Sequence, residues 1–269
     1  MIKLIRANFF KMYCSWSFWL TLFILPLFNI YVIIEGDKEY LGLVPESGLE
    51  RWNIGQCGES CFSHLMLLTY VIVAMVGMLV GDEYASGAIR NKLVSGYSRV
   101  QLYVSYLITS VCEVLIVNLF CIAVPFVVCC VRYGFDTGDT GTFLKMILYS
   151  IPPIAALVAF TLFCMILAGD RTAGMVIAFL TDLIVYYFFD WFFVRQLIYE
   201  PDKLTEAQKK LYITIDAILP SSCVEWLYQY GPKAYFFNLE HAPKSWWCFI
   251  TMGVMVAAGV TMFRKTDLK

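Results

Sequence analysis

Two carboxyl side chains, Glu113 and Asp182, lie inside apolar stretches that are long enough to cross a lipid bilayer. An ionised carboxyl in a bilayer core is costly unless it is paired, protonated or hydrated. We therefore expect both side chains to face the interior of a helix bundle. Two interpretations stay open. They line a polar path through the membrane together with Asn118, or they only form hydrogen bonds between helices, with Asn118, Tyr186 or Tyr187 as partners.

A second group with ligand chemistry is Cys57, Cys61 and His64, which follow a C-x3-C-x2-H spacing. Thiolate and imidazole bind zinc, but three ligands with no evident fourth give an incomplete site, so we predict no metal. On the outer side of a membrane, Cys57 and Cys61 could form a disulfide with each other or with Cys223. The cysteines inside the spans are instead expected to act as small apolar residues. They are Cys112, Cys121, Cys129, Cys130, Cys164 and Cys248.

The segment 81–101 mixes acidic and basic residues and has the pattern of a short helix. Apolar or small side chains recur at every fourth position, at Ala85, Ile89, Leu93 and Tyr97. Gly96 can adopt the left-handed conformation that ends a helix. Ser98 and Gln101 fit a capping box, which predicts that the next helix begins there. The alternative is a solvated turn whose basic residues only set the membrane topology.

The composition around these residues is that of a membrane protein. Hydrophobic residues make up 60% of the 269 residues and charged residues 15%, whereas soluble domains carry about 25% charged residues. A soluble globular fold is therefore excluded. The net charge of -1 and the lack of a basic tract give no sign of a nucleic-acid partner. The length fits a single membrane domain over residues 1–269, without a second globular domain of ~100 residues.

Six apolar stretches predict an all-α protein with six membrane-spanning helices, because each approaches the ~20 residues that cross a ~30 Å hydrocarbon core. They cover residues 16–34, 62–80, 100–131, 146–168, 173–189 and 245–263. The third exceeds the bilayer thickness, so we expect it to tilt, to protrude into the cytoplasm or to bend near Pro125. In the loop before the last span, a capping box from Thr205 to Gln208 predicts an amphipathic helix on the outer leaflet.

The residues before the first span predict an amphipathic helix at the membrane interface. Its apolar residues at helical spacing are Ile2, Ile5, Phe9 and Tyr13. The alternative is a charged tail without fixed structure. We expect the first span to remain as an uncleaved anchor, because no small-residue cleavage site follows it.

Basic residues beside the spans place both termini in the cytoplasm by the positive-inside rule. They are Lys3, Arg6 and Lys11 before the first span and Arg264, Lys265 and Lys269 after the last. The loop 35–61 is mostly acidic, so it is expected outside. Both signals agree with an even number of spans.

The most specific motif in the chain is E-x-x-x-G-x-I-R-N-K-L followed by S-R. Its residues are Glu83, Gly87, Ile89, Arg90, Asn91, Lys92, Leu93, Ser98 and Arg99. This motif resembles the pattern of bacterial ABC type-2 transporter permeases. The closing segment 259–269 resembles that family's G...F-R-K-x-D-L-K ending, and the L-P-S run at 219–221 resembles an element before its last span. The resemblance in topology covers the whole chain. The resemblance in sequence motifs covers some two dozen residues.

In that family, known structurally as type V exporters, an amphipathic elbow helix precedes six spans. The loop after the second span forms a cytoplasmic coupling helix that docks on an ATPase subunit. The resemblance therefore implies a non-catalytic permease subunit of the bacterial plasma membrane. It would export an amphipathic or hydrophobic cargo such as an antimicrobial peptide, a drug or a lipid. The surrounding lipid and a second permease, identical or homologous, would be its partners in the membrane.

The resemblance also implies which subunit hydrolyses ATP and which residues of this chain dock on it. ATP and Mg would be bound by a separate ATP-binding ABC subunit, and this chain would hold no cofactor. Glu83, Arg90, Lys92 and Arg99 would dock on that subunit or gate the path. Charged side chains suit a contact that must engage and release with nucleotide state. The chain itself lacks the G-x-x-x-x-G-K-[ST] loop that cradles ATP phosphates, which agrees with a separate ATPase.

Two other function classes stay open. A non-transporting membrane anchor or sensor for an ATPase would share nearly every feature above, and only substrate movement separates the two. An intramembrane enzyme has less support. The only histidines, His64 and His241, lie at predicted outer interfaces, and no serine or paired-carboxylate motif accompanies them.

Overall fold

The computed structural model describes residues 1–43, 61–133, 140–189, 205–230 and 242–265, and these residues form helices and short connections without any strand. In chain order the helices are α1 (Ile2–Cys14), α2 (Trp16–Leu43), α3 (Leu65–Ala85), α4 (Ala88–Val94), α5 (Arg99–Tyr133), α6 (Thr140–Ala168), α7 (Arg171–Phe189), α8 (Glu206–Ile218), α9 (Pro220–Tyr230), a 3₁₀ helix (Ala242–Trp247) and α10 (Cys248–Lys265). The predicted all-α class is confirmed.

Within the described part of the chain, 4 helical segments are long and apolar enough to cross a bilayer. They are Leu65–Ala85 in α3, Arg99–Val131 in α5, Phe143–Ala168 in α6 and Ser245–Lys265, which includes α10. The pair formed by α1 and the first part of α2, bent by 60°, passes the same test as a fifth. These helices indicate a membrane-spanning protein. A count of six spans, with α7 as the fifth of them, stays a prediction.

Local sequence signals explain where several helices begin. At the start of α5, the backbone N–H of Ser98 donates to Gln101 Oε1 at 3.0 Å, and the N–H of Gln101 donates to Ser98 Oγ at 3.2 Å. The predicted capping box is therefore confirmed, and Thr205 and Gln208 form the second predicted box at the start of α8. The helix α5 is 35 residues long and continues as one helix across Pro125.

The helix α1 is also confirmed, but a different face contacts the bundle. Leu4, Asn8 and Met12, spaced by four, are buried, whereas Ile2 and Tyr13 of the predicted apolar stripe are 83% and 60% exposed. Ile5 and Phe9 of the same stripe are partly buried, and Phe9 packs against the core, so the predicted stripe is divided between the bundle and the outside. A place for α1 at the membrane interface stays a prediction. The buried face is the one that carries Asn8, a polar residue with partners on other helices.

The centre of the bundle is α6, which packs against α3, α5, α7, α9 and α10. Its buried Ala155, Ala156 and Ala159 keep its surface narrow, so neighbouring helices can approach closely. The helices α3 and α7 are joined near their ends, where Arg171 Nη1 donates to Asp82 Oδ1 at 2.6 Å. Both of these side chains are partly exposed, so this ion pair adds little stability by itself.

The contact between α5 and α10 depends on Gly259. A Cβ atom at this position would overlap the hydroxyl and ring of Tyr103, a fully buried side chain of α5. One turn further along α10, Arg99 Nη1 donates to the backbone oxygens of Phe263 at 2.7 Å and Arg264 at 3.3 Å. Arg99 thus satisfies carbonyls at the C-terminal end of α10, where the helix itself offers no donor.

We predict that Gly259→Ala lowers the free energy of unfolding by about 1–3 kcal/mol, because the added methyl group must displace Tyr103. Gly253→Ala is the matched control on the same helix, since no atom lies within 4 Å of a Cβ there. Alanine also favours a helix over glycine, so the control keeps or gains stability. Thermal unfolding of both variants in one detergent measures the difference, and equal midpoints would contradict the close contact.

Candidate functional site

The carboxylate of Glu83 lies in the last turn of α3, is 4% exposed and receives hydrogen bonds from two other helices. From α4, Lys92 Nζ lies 2.8 Å from Glu83 Oε1 and 2.6 Å from Oε2. From α5, the Tyr106 hydroxyl donates to Oε2. On α1, Lys11 Nζ lies 3.6 Å from Oε1. One carboxylate therefore links α1, α3, α4 and α5.

The two lysines also bind groups other than Glu83. Lys92 Nζ donates to Asn8 Oδ1 at 3.2 Å and to the Tyr106 hydroxyl at 3.3 Å. Asn8 Nδ2 in turn donates to Ser105 Oγ at 3.2 Å. Lys11 Nζ donates to the backbone oxygen of Leu79 at 2.7 Å, one turn before Glu83. We call Asn8, Lys11, Glu83, Lys92, Ser105 and Tyr106 the Glu83 cluster.

The electrostatics of the Glu83 cluster favour a fixed geometry more than a large gain in stability. Taking Glu83 and Lys92 out of water has a desolvation penalty that offsets much of their attraction. Once both are buried, removal of either partner leaves an uncompensated charge, which is strongly destabilising. The cluster therefore holds α4 in one position relative to α3, α1 and α5.

The fold of the 81–101 segment explains how Lys92 reaches Glu83. Gly87 has φ 68° and Gly96 has φ 90°, both in the left-handed region that favours glycine. The first turn reverses the chain after α3, so that α4 folds back against the bundle. Ile89 of α4 is 2% exposed and packs into the core. The opposite side of α4 carries exposed side chains, namely Arg90, Asn91 and Val94.

The motif residues thus fall into a group that faces the bundle and a group that is exposed on α4. The sequence did not distinguish these two groups. Glu83 and Lys92 point inward and bind each other, and Arg99 binds the end of α10. Ile89 is buried and Leu93 is partly buried against the core, while Ser98 caps α5. Of the four charged motif residues, Arg90 is the one on the exposed side of α4. Glu83, Lys92 and Arg99 bind groups of this chain, and their role in docking or gating stays a prediction.

The sequence reasoning missed Asn8, Lys11, Ser105 and Tyr106. A signal for the first two was present, because an asparagine and a lysine three residues apart lie on one face of a helix. The prediction for α1 was based on its apolar stripe instead. Their partners, at sequence separations of 68 and more residues, are set by the tertiary fold.

A second buried polar group joins α2, the start of α3, α5 and α6. His64 Nε2 lies 2.9 Å from Asn118 Oδ1, and Asn29 Nδ2 lies 3.0 Å from His64 Nδ1. Asn118 Nδ2 donates to Ser150 Oγ at 3.2 Å. The backbone oxygen of Cys61 also lies 3.1 Å from His64 Nδ1. The His64 side chain is 0% exposed and directly precedes α3, so its predicted place at the outer membrane interface stays a prediction.

Glu113 and Asp182 face the interior as expected, at 2% and 9% exposure. Asp182 accepts a hydrogen bond from Ser221 Oγ on α9, whereas Glu113 Oε2 is buried without a hydrogen-bond partner. Asn118 is bound to His64 and Ser150, so the alternative in which Asn118 pairs with one of these carboxyls is wrong. The side chains of Tyr186 and Tyr187, the other proposed partners, lie outside the described residues.

Of the three cysteines named for a disulfide, Cys61 and Cys223 lie in the described residues. Cys61 is buried with a free thiol, and Cys223 Sγ lies 3.5 Å from Cys248 Sγ instead. A disulfide between Cys61 and Cys223 is therefore wrong, and Cys57 lies outside the described residues. In the ranges that the structure describes, no group of three or more His, Cys, Asp or Glu side chains is arranged to hold a metal ion.

No protein-family model matches this chain, and none of the curated proteins matches it either.

We predict that Lys92→Ala lowers the free energy of unfolding by about 3 kcal/mol or more, because Glu83 keeps its burial and loses its closest cation. The double variant Glu83→Gln with Lys92→Met loses less, since no buried charge remains. Arg90→Ala is the control on the exposed side of α4 and changes stability by no more than about 0.5 kcal/mol.

Chemical unfolding of the purified protein in one detergent measures all three variants. A Lys92→Ala variant as stable as Arg90→Ala would contradict the buried ion pair. A double variant that loses more than Lys92→Ala would contradict the charge argument.

Proposed function

We propose that this chain is the permease subunit of an ABC transporter of the type V exporter kind. In this proposal α1 is the elbow helix, α4 is the coupling helix and α7 completes six spans. A separate ATPase subunit binds ATP and Mg, and its movement drives export of an amphipathic or hydrophobic cargo. The observation that carries the proposal is the Glu83 cluster, because it fixes a short helix with an exposed face to three other helices of the bundle.

The Glu83 cluster gives α4 the mechanical properties that a coupling helix requires. A loop attached only through its ends would absorb a push by bending, whereas α4 is also bound through Lys92 to a buried carboxylate. Displacement of α4 therefore moves the end of α3 and the start of α5 together. It also moves α1, because Asn8 shares Lys92. A partner that presses on the exposed side of α4 would act on all four helices at once.

The exposed side of α4 has the chemistry of a reversible contact. Arg90 and Asn91 supply polar groups, and Val94, at 83% exposure, supplies an apolar contact. A small mixed surface of this kind can engage and release, and a basic side chain at its edge steers an acidic partner. This position assigns docking to Arg90 and mechanical transmission to Glu83 and Lys92.

The cargo path is proposed to run along the polar groups of the bundle interior. Glu113 is its leading candidate, because a buried carboxyl oxygen without a partner is unusual in a membrane domain. Asn118 and Asp182 are already bound within the chain, so they contribute to a path only if those bonds open. A largely apolar interior with few polar groups supports an amphipathic or hydrophobic cargo. A second permease copy would complete the path, with both termini of each copy in the cytoplasm of a bacterium.

The test is affinity purification of the tagged chain from its native membrane. We predict that the unaltered chain retains a protein that contains a G-x-x-x-x-G-K-[ST] sequence. Arg90→Glu reverses the charge on the exposed side of α4 and reduces this retention by about ten-fold, equivalent to about 1.4 kcal/mol. Lys210→Glu is the matched control, an equal charge reversal at an exposed position of α8, on the opposite side of the membrane in this topology.

The proposal fails if the unaltered chain retains no such ATPase. It also fails if Lys210→Glu reduces retention as strongly as Arg90→Glu does. Cargo movement is tested in vesicles with the purified pair, and ATPase retention without any nucleotide-dependent movement of peptides, drugs or lipids would favour a non-transporting anchor.

A further inference from the structure

Two cysteines from different helices meet where the N-terminal ends of α9 and α10 come together. Cys223 lies in the first turn of α9, and Cys248 is the first residue of α10. Their sulfur atoms are 3.5 Å apart, and the side chains are 8% and 0% exposed. Both pack beside Ala156 of α6, a fully buried residue of the bundle centre.

We propose that Cys223 and Cys248 are an oxidisable pair that forms a disulfide on the outer side of the membrane. The sulfur atoms are already in contact, and a disulfide brings them to about 2 Å, a movement that side-chain rotation can supply. The small Ala156 side chain leaves the pair with a neighbour of little bulk. The outer location rests on the topology in the proposed function, and oxidising conditions are found on that side.

The oxidant is a low-molecular-weight disulfide, and the reaction is thiol–disulfide exchange. Cys223, the more exposed of the two, attacks the oxidant as a thiolate and forms a mixed disulfide, releasing one small thiol. Cys248 then loses its proton and attacks Cys223 Sγ, which releases the second small thiol. In total, two protein thiols are oxidised to one disulfide, and one small disulfide is reduced to two thiols.

The disulfide would join three helices of the proposed exporter at its outer end. It ties α9 to α10 directly. Because Ser221, two residues before Cys223, donates to Asp182, it also holds α9 beside α7. The chain from 224 to 247 becomes a closed loop whose two ends are fixed. Movement driven through α4 would then be confined to the inner end of these helices.

The experiment applies oxidised glutathione, which does not cross membranes, to intact cells that carry the full chain. Free thiols are then alkylated, and the digested protein is searched for a peptide pair linked through Cys223 and Cys248. We predict that this pair appears and that alkylation of both thiols falls by about ten-fold. Cys14, exposed on α1 and cytoplasmic in this topology, stays alkylatable.

Three variants serve as controls. Cys61→Ala keeps the linked pair, whereas Cys223→Ala and Cys248→Ala each abolish it. The absence of the linked pair in opened membranes, where Cys14 is fully modified, would overturn the disulfide. A linked pair that forms only after the membranes are opened would overturn the outer location, and with it the proposed topology, while leaving the ATPase retention to be judged by its own test.

Discussion

The buried carboxylate of Glu83 is the constraint on which the geometry at one end of the bundle depends. It accepts hydrogen bonds from Lys92 and Tyr106 and lies near Lys11, so side chains of three other helices converge on it. A buried carboxylate has one satisfactory arrangement of partners, whereas apolar side chains would allow α4 to slide or rotate. The ion pair therefore fixes the position of α4 more than it stabilises the fold. A fixed position is what a helix needs if it is to transmit movement.

The same principle explains why the polar residues of this bundle are concentrated at a few helix junctions. The Glu83 cluster fixes α1 and α4 to α3 and α5, while His64 joins α2 and α3 to α5 through Asn29 and Asn118. On α5 between these two groups lie further buried polar side chains, Thr109, Ser110 and Glu113. Apolar contacts make up much of the remaining core, and the contact of α10 with α5 depends on Gly259. Apolar contacts of this kind permit small shifts between helices, whereas the polar groups define which helices move together.

Local sequence signals were sufficient for several helix ends, but not for α4, since Ala85 of its predicted stripe ends α3 and Tyr97 follows α4. The capping boxes at Ser98 and Thr205 and the glycine that ends α4 were all readable, because they involve residues a few positions apart. Contacts between distant residues were not readable. Lys92 and Asn8 are 84 positions apart, and nothing local marks Lys92 as an inward-facing lysine. The partners of His64 were not readable for the same reason, since they lie on other helices.

Hydrogen–deuterium exchange of the purified protein tests the role of Glu83 most directly. If Glu83 holds α1, α4 and α5 together, amides of Ala88–Val94 exchange slowly in the unaltered protein. In Glu83→Gln, exchange accelerates in α4 and in α1 at the same time, because the neutral amide no longer attracts the two lysines. Glu206→Gln, at an exposed carboxylate of α8, changes neither helix. Fast exchange in α4 of the unaltered protein, or an acceleration in α4 that leaves α1 unchanged, would contradict the account.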